Sequence, residues 1–250
     1  MRLREYSDKI PKPMVTIGDR PIIWHLMKYY AHFGHKEFIL CLGYRGNIFK
    51  QYFLNYSECD SNDFTFYGEG KKIELKNSDI NDWKVTFVDT GMHSNIGERL
   101  LAVKKYVQDD EIFLANYSDG LTNMDLSDQI SRFQKTKKVA SFLSVQPNLS
   151  YHLVTMGNNN IVTKMEPFMS RDIRINGGYF ILRNKIFNYI KDGEELVQKP
   201  FYRLIAEKQL MAYKYSGFWG CMDTFKDKQV LDELNDLGKA PWEVWKLAKE

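Results

Sequence analysis

The sequence predicts an α/β protein, a mixed but mainly parallel sheet with helices on both faces. Three observations carry that expectation. Through Val145, apolar runs of strand length alternate with stretches whose apolar residues recur at helical spacing, an order that builds parallel strands joined by crossover helices. One of those runs, Ile112 to Ala115, stops at Ser118-Asp119-Gly120 shortly before Asp125, a natural helix cap. That arrangement puts a carboxylate at the carboxyl edge of the sheet, where open α/β sheets bind ligands; read alone, Asp119-Gly120 would equally suit a plain turn. Beyond Pro147 the pattern changes to a hairpin and more irregular strands.

Taken in order, Met1 to Lys9 is polar and unpatterned, and Pro11-Lys12-Pro13 holds the next segment extended. A lysine on so stiff a loop is placed to reach a ligand, although a lone lysine is commonly just solvated. Gly18-Asp19-Arg20-Pro21 announces a helix, with Asp19 as its cap and Pro21 in the first turn. Ile22, Ile23, Leu26, Met27, Tyr30 and Phe33 then follow the helical period, and Gly34 closes it. Phe38 to Leu42 reads as a buried strand, Lys50 to Leu54 as a short helix, and Asn55 to Asp82 as an irregular excursion with room for one hairpin. Lys84 to Val88 is the next strand, followed by a helix from Gly97 to Tyr106.

After the Asp119 strand come a helix to Gln134 and a strand from Val139 to Val145. His152 to Met156 and Ile161 to Met165 flank Gly157-Asn158-Asn159-Asn160, a hairpin signal. Then follow a strand from Tyr179 to Leu182, helices around Ile186 and from Pro200 to Lys208, a strand from Leu210 to Tyr215, and a helix from Phe225 to Leu237. No repeat or linker divides the chain, so one elaborated domain spanning residues 1–250 is expected.

The 250 residues carry 35 basic and 32 acidic side chains for a formal charge of +3. So small an excess, with only short lysine clusters at Lys71-Lys72 and Lys135 to Lys138, gives no case for nucleic acid as a partner. Cys41, Cys59 and Cys221 have no short spacing and suit a reducing cytoplasm better than a disulfide framework or zinc site. No stretch is apolar for long enough to cross a membrane, and the start has no signal-peptide core. A soluble, cytoplasmic protein is the expectation.

Ten short motifs then occur in a fixed order: Lys12-Pro-Met-Val15, Gly18 with Arg20-Pro-Ile-Ile-Trp-His25, Cys41-Leu-Gly-Tyr44, Val88-Asp-Thr-Gly91, Gly97-Glu-Arg-Leu100, Ser118-Asp-Gly120, Ile175-Asn-Gly-Gly178, Phe218-Trp219, Met222-Asp-Thr224 and Lys239-Ala-Pro-Trp242. Each is weak alone. Together they make the chain resemble the sugar-phosphate nucleotidylyltransferases, most closely the glucose-1-phosphate cytidylyltransferases. The resemblance implies a Rossmann-like, GT-A-like nucleotidyltransferase fold, with residues 1–146 forming a nucleotide-binding half and 147–250 a sugar-binding and carboxyl-terminal half. It implies a reaction in which the phosphate of a sugar 1-phosphate attacks the α-phosphorus of CTP, or another nucleoside triphosphate, and expels pyrophosphate. Such a nucleophile is already an anion near neutral pH. Catalysis should therefore be cationic clamping and positioning rather than base catalysis.

By the same resemblance, Asp119 and Asp223 would hold Mg²⁺, a hard ion suited to a few carboxylates plus phosphate oxygens. Lys12 and Arg2 would act as the catalytic cations on the phosphates. Gly97, Arg99, Ser118 and Asp119 would line the nucleotide, and Glu166, Asn176 and Gly177 the sugar. Blander readings stand beside these: Arg99 as a solvated helix residue, Asn176-Gly177-Gly178 as a turn.

Two departures from the family pattern are expected to matter. Relatives open with a central strand and a Gly-x-Gly-Thr-Arg loop that cradles the triphosphate, whereas here Met1 falls at the threonine and Arg2 at the arginine. Without that first strand, two neighbours should present unpaired edges, which would also favour a homo-oligomer. At Lys164-Met-Glu-Pro-Phe168, Pro167 stands where many relatives carry a lysine on the sugar phosphate, leaving Arg171 or Arg174 as replacements, and Tyr151-His152 stands where relatives often have Phe-Gly. The alternative reading is an impaired or truncated homologue serving as a binding or oligomerisation module. A weaker one is a glycosyltransferase, which would release a nucleoside diphosphate instead of pyrophosphate.

Overall fold

The computed structural model describes residues 10–147 and 151–247; Arg2 lies outside them. The first regular element is a hairpin, Thr16–Ile17 (β1) against Arg20–Pro21 (β2), with Ile17 paired to Arg20. Asp19 therefore belongs to the hairpin turn and does not cap the helix that follows. Pro21 takes the cap position of α1 (Ile22–His32), with no side-chain hydrogen bond. The reason is local: the proline ring fixes an extended entry, and the strand pairing of Arg20 leaves Asp19 a turn too early. Ile22, Ile23, Trp24, Leu26, Met27, Tyr29 and Tyr30 of α1 are all buried, so this helix is packed on every side.

Glu37–Leu42 (β3) is followed by Gly46–Leu54 (α2), and the excursion contains the expected hairpin, Phe64–Tyr67 (β4) with Lys72–Leu75 (β5). Lys84–Asp89 (β6) returns parallel to β3. Ile96–Val107 (α3) opens with a capping box between Asn95 and Glu98. Ile112–Asn116 (β7), Gly120–Thr122 (β8), Leu126–Gln134 (α4) and Ala140–Val145 (β9) continue the alternation, and the Asp125 carboxylate accepts from the Ser127 and Asp128 amides as a cap should. The arm His152–Met156 (β10) with Val162–Pro167 (β11) is antiparallel. Ile175–Arg183 (β12), Lys199–Ala206 (α5), Leu210–Lys214 (β13), Trp219–Cys221 (β14), Phe225–Asp236 (α6) and Val244–Leu247 (α7) complete the chain.

Four strands form the main sheet in the order β13-β9-β12-β7. β13 runs parallel to β9, whereas β12 is antiparallel to both neighbours. The sheet is thus more evenly mixed than helix-strand alternation suggests. Between β9 and β12 the described residues make the β10–β11 arm and no crossover helix, and β12 runs in the opposite direction to β9. One hydrophobic cluster gathers α1, Leu143, Val145 and Tyr179; a second gathers Leu100, Ala140, Phe180, Leu182 and Leu204. β9 and β12 contribute to both, which makes this sheet the middle layer between helices.

β3 and β7 are not hydrogen-bonded to each other. A cleft of about 1010 Å³ separates them, lined by Leu40 and Cys41 of β3, Leu114 of β7, and Leu26 and Met27 of α1. Among the described residues, neither strand has a hydrogen-bonded partner on the side that faces this cleft. The open side also explains why β3 is only half-buried for most of its length.

The carboxyl-terminal Lys239-Ala-Pro-Trp242 motif closes the first cluster. Trp242 is fully buried, and its indole Nε1 donates to His25 Nδ1 at 3.2 Å, while His25 Nε2 lies 3.1 Å from the Ile17 carbonyl. That pair of partners fixes His25 as the neutral Nε2–H tautomer. Burial pushes its pKa down to about 4, against about 6.5 in an unfolded chain. The stability this contributes is present above about pH 6.5 and is lost as pH falls toward 4, by about 2–3 kcal/mol. Urea unfolding at pH 7.5 and 4.5 should show this drop, and His25→Gln should reduce it.

Candidate active site

The site is assembled by a short ladder. β14 pairs antiparallel with β8, Cys221 opposite Gly120, and the Met222 amide donates to the Asp119 carbonyl at 2.9 Å. Asp119 just precedes β8 and Asp223 just follows β14, so the pairing sets the two carboxylates side by side. The approach to Asp119 is tightly specified. Ser118 has a left-handed φ of +66°, unusual for a residue with a side chain, and its amide donates to Asn116 Oδ1 at 2.7 Å. Asp223 leads into the N-cap of α6, where Thr224 and Asp227 form a reciprocal capping box. The Asp223 amide also donates to Asp227 Oδ2 at 3.1 Å, and a helix start is a favourable place for negative charge.

Lys12 reaches this pair from the turn after Pro11. Its Nζ lies 2.7 Å from Asp119 Oδ2 and also donates to Asp223 Oδ1. Burial works against the Lys12 charge, but the two carboxylates outweigh it and hold its pKa above the ordinary lysine value. The Lys12 ammonium in turn holds the Asp223 carboxyl below the usual range. Burial, helped by the Asp223 charge, pushes the Cys221 thiol up to about 12, so it stays protonated beside Asp223 Oδ2 and is no nucleophile. Among the described residues no group of three or more His, Cys, Asp or Glu side chains converges. Two carboxylates closing on one cation are instead the sparse oxygen donor set that suits an ion shared with phosphate oxygens.

The other sequence-predicted residues fall into two groups. Arg99 lines the β3–β7 cleft, with its guanidinium packed against Gly43. Its Nη1 donates to Thr90 Oγ1 at 2.6 Å, and that hydroxyl donates to the Leu42 carbonyl at 2.9 Å. Arg99 is thereby anchored at the carboxyl ends of β3 and β6, on the cleft that Ser118 also lines. Gly97 has a packing reason of its own: a Cβ there would lie 2.1 Å from the Glu194 carbonyl oxygen. Gly97→Ala should therefore displace α3 and lower stability by about 1–3 kcal/mol, which thermal unfolding of that variant checks.

On the other side, Asn176 and Gly177 lie where β12 leaves regular register with β9. Asn176 Nδ2 donates to the Tyr117 hydroxyl at 3.2 Å and Asn176 Oδ1 accepts from the Gly178 amide at 2.9 Å. Glu166 on β11 is already engaged, with Lys164 Nζ at 2.8 Å and Arg171 Nε at 2.7 Å; Lys164 and Arg171 keep its carboxyl ionised below the usual range. Of the two arginines considered for the sugar phosphate, Arg174 is committed to Asp172 and to the Ser144 and Tyr215 carbonyls. Arg171 is more exposed and shares Glu166 with Lys164. Sequence reasoning gave no role to Trp219 or Tyr117, although Trp219 stood in a quoted motif. Their signal lay in Gly177 and Gly178, where a Cβ would press on the Trp219 indole and on the Tyr117 ring respectively.

No described helix is long and apolar enough to cross a membrane. Residues 1–229 match the nucleotidyl transferase family. The chain is 38% identical over 245 residues to the glucose-1-phosphate cytidylyltransferase of Salmonella typhimurium, covering 98% of this chain and 95% of that protein. It is 35% identical over 246 residues to a probable glucose-1-phosphate cytidylyltransferase of Bacillus subtilis, with the same coverage. Among solved structures it is similar to UDP-glucose pyrophosphorylase complexed with UDP-glucose, with TM-score 0.66, 15% identity and 93% of each chain covered. It is likewise similar to HddC from Yersinia pseudotuberculosis, with TM-score 0.63, 19% identity and 93% of each chain covered. The last two likenesses concern the fold. The edge carboxylates, the mixed sheet and the near-complete matches agree, and the chain belongs to the nucleotidyl transferase family.

Proposed function

We propose that this protein is a cytoplasmic cytidylyltransferase that transfers CMP from CTP to glucose 1-phosphate, forming a nucleotide-sugar and releasing pyrophosphate. The observation that carries the reading is the convergence of Asp119 and Asp223 on Lys12 at the sheet edge. The near full-length likeness to glucose-1-phosphate cytidylyltransferases supports the choice of base and sugar. Asp119 and Asp223 fit Mg²⁺, with phosphate oxygens completing the coordination; bound there, the ion would offset charge building up on the α-phosphate.

The remaining work is assigned to the chain's own residues. Lys12, drawn by two carboxylates, sits where it can turn to the triphosphate, and Arg2 is proposed as the second phosphate cation. Arg99, anchored through Thr90, would lie along the nucleotide with Gly97 and Ser118. Asn176 and Gly177 would face the sugar, and Glu166 with its paired Arg171 and Lys164 would border it, bringing cations to the side where Pro167 cannot. The nucleophile needs no base, so holding both polyanions in line is the main demand.

Pyrophosphate release by the purified protein, with Mg²⁺, glucose 1-phosphate and each of CTP, UTP, dTTP and GTP in turn, tests this directly. CTP should be preferred by at least about tenfold in kcat/KM. Preference for another triphosphate would overturn the base assignment. Release of a nucleoside diphosphate would mark a glycosyltransferase, and silence with all four would leave a binding module.

A further inference from the structure

Trp219 of β14 carries an indole that crosses to the main sheet. Its Nε1 donates to the Gly177 carbonyl at 2.9 Å. A Cβ on Gly177 would lie 3.1 Å from that nitrogen, and one on Gly120 would lie 3.4 Å from it. The indole is thus seated between two glycine backbones, one directly after Asp119 and the other directly after Asn176. Tyr117 grips the same segment from its own side. It accepts from Asn176 at 3.2 Å, its amide donates to the Gly178 carbonyl at 3.3 Å, and a Cβ on Gly178 would meet its ring at 2.9 Å. Gly178 has a φ of +79°, and the ladder to β9 is interrupted between Asn176 and Phe180. The bulge has therefore lost part of its sheet support, and two aromatic side chains replace it. Each of those aromatics belongs to a segment that runs straight into a site carboxylate, Tyr117 into Asp119 and Trp219 into Asp223.

We propose that Trp219 and Tyr117 are positioning residues for the sugar phosphate. They hold the Asn176–Gly177–Gly178 bulge at a fixed offset from the Asp119–Asp223 pair, so the acceptor is aligned with the triphosphate by the same two segments that carry the carboxylates. This inference rests on the reading that Asn176 and Gly177 face the sugar.

Trp219→Phe keeps an aromatic ring and removes the N–H; Tyr117→Phe keeps the ring and removes the hydroxyl. Steady-state kinetics with CTP and glucose 1-phosphate varied separately should show KM for glucose 1-phosphate raised about tenfold in each variant, with KM for CTP changed less than about twofold. A loss of packing alone would lower the unfolding temperature or raise both KM values together, and either that result or unchanged KM values would overturn the inference. If the unaltered protein releases no pyrophosphate, the functional reading fails separately. Stabilisation of the same three proteins by glucose 1-phosphate in thermal unfolding then decides: a shift retained in full by both variants would overturn the positioning role, and a shift lost in both would uphold it.

Discussion

Asp223→Asn is expected to lower turnover by about a thousandfold, roughly 4 kcal/mol of transition-state stabilisation, while leaving the fold intact. The substitution is nearly isosteric, and neither the cap of the following helix nor the strand ladder beside it uses the Asp223 carboxylate. The α6 capping box uses Thr224 and Asp227, and the β14–β8 ladder uses backbone groups. What is removed is one of two charges that converge on a single cation. Lys12 would keep Asp119 as a partner, so the loop after Pro11 should stay in place. Unfolding temperature should change little, Mn²⁺ binding measured without turnover should weaken, and pyrophosphate release should collapse. Activity within about tenfold of the unaltered protein would remove Asp223 from the proposed metal site. Asp119→Asn should match it in turnover but be less benign structurally, because it sits directly after the left-handed Ser118.

The parts of this arrangement legible in the sequence were those written in local patterns. The apolar run ending at Asp119 marked a sheet edge because burial ends where polar residues begin. Asp125 was readable as a cap because capping chemistry is local. The direction of β12 was not readable, since side-chain periodicity is the same in parallel and antiparallel strands. Asp19 misled because cap preference competes with strand pairing by Arg20, a contact no helix pattern reports. The partnership of Asp119 with Asp223 depends on a ladder of three residue pairs between distant segments, and only the resemblance in motif order anticipated it. The packing reason for Gly97 lies in the Glu194 carbonyl, which no spacing could supply.

Trp242→Ala is expected to be the most destabilising substitution in the carboxyl-terminal segment, by about 3–5 kcal/mol. Trp242 is fully buried in the cluster around α1. Its ring lies 6.0 Å from His25 and 5.7 Å from Phe218, centroid to centroid. Removing it leaves a cavity and also deprives His25 Nδ1 of its donor, a buried acceptor that then has no replacement. At a few degrees per kcal/mol for a chain of this size, the unfolding temperature should fall by about 10 °C. Trp242→Phe separates the contributions, since most of the volume stays and only the donor is lost, and should cost about 1–2 kcal/mol. Phe218 immediately precedes β14, and its carbonyl accepts from the Thr122 hydroxyl of β8. The loss should therefore reach the Asp119–Asp223 ladder, and kcat should fall in Trp242→Ala even below its unfolding temperature. Kinetics at 15 °C alongside the melts would show it; a variant that melts early yet turns over normally when folded would mean that Trp242 braces α1 alone.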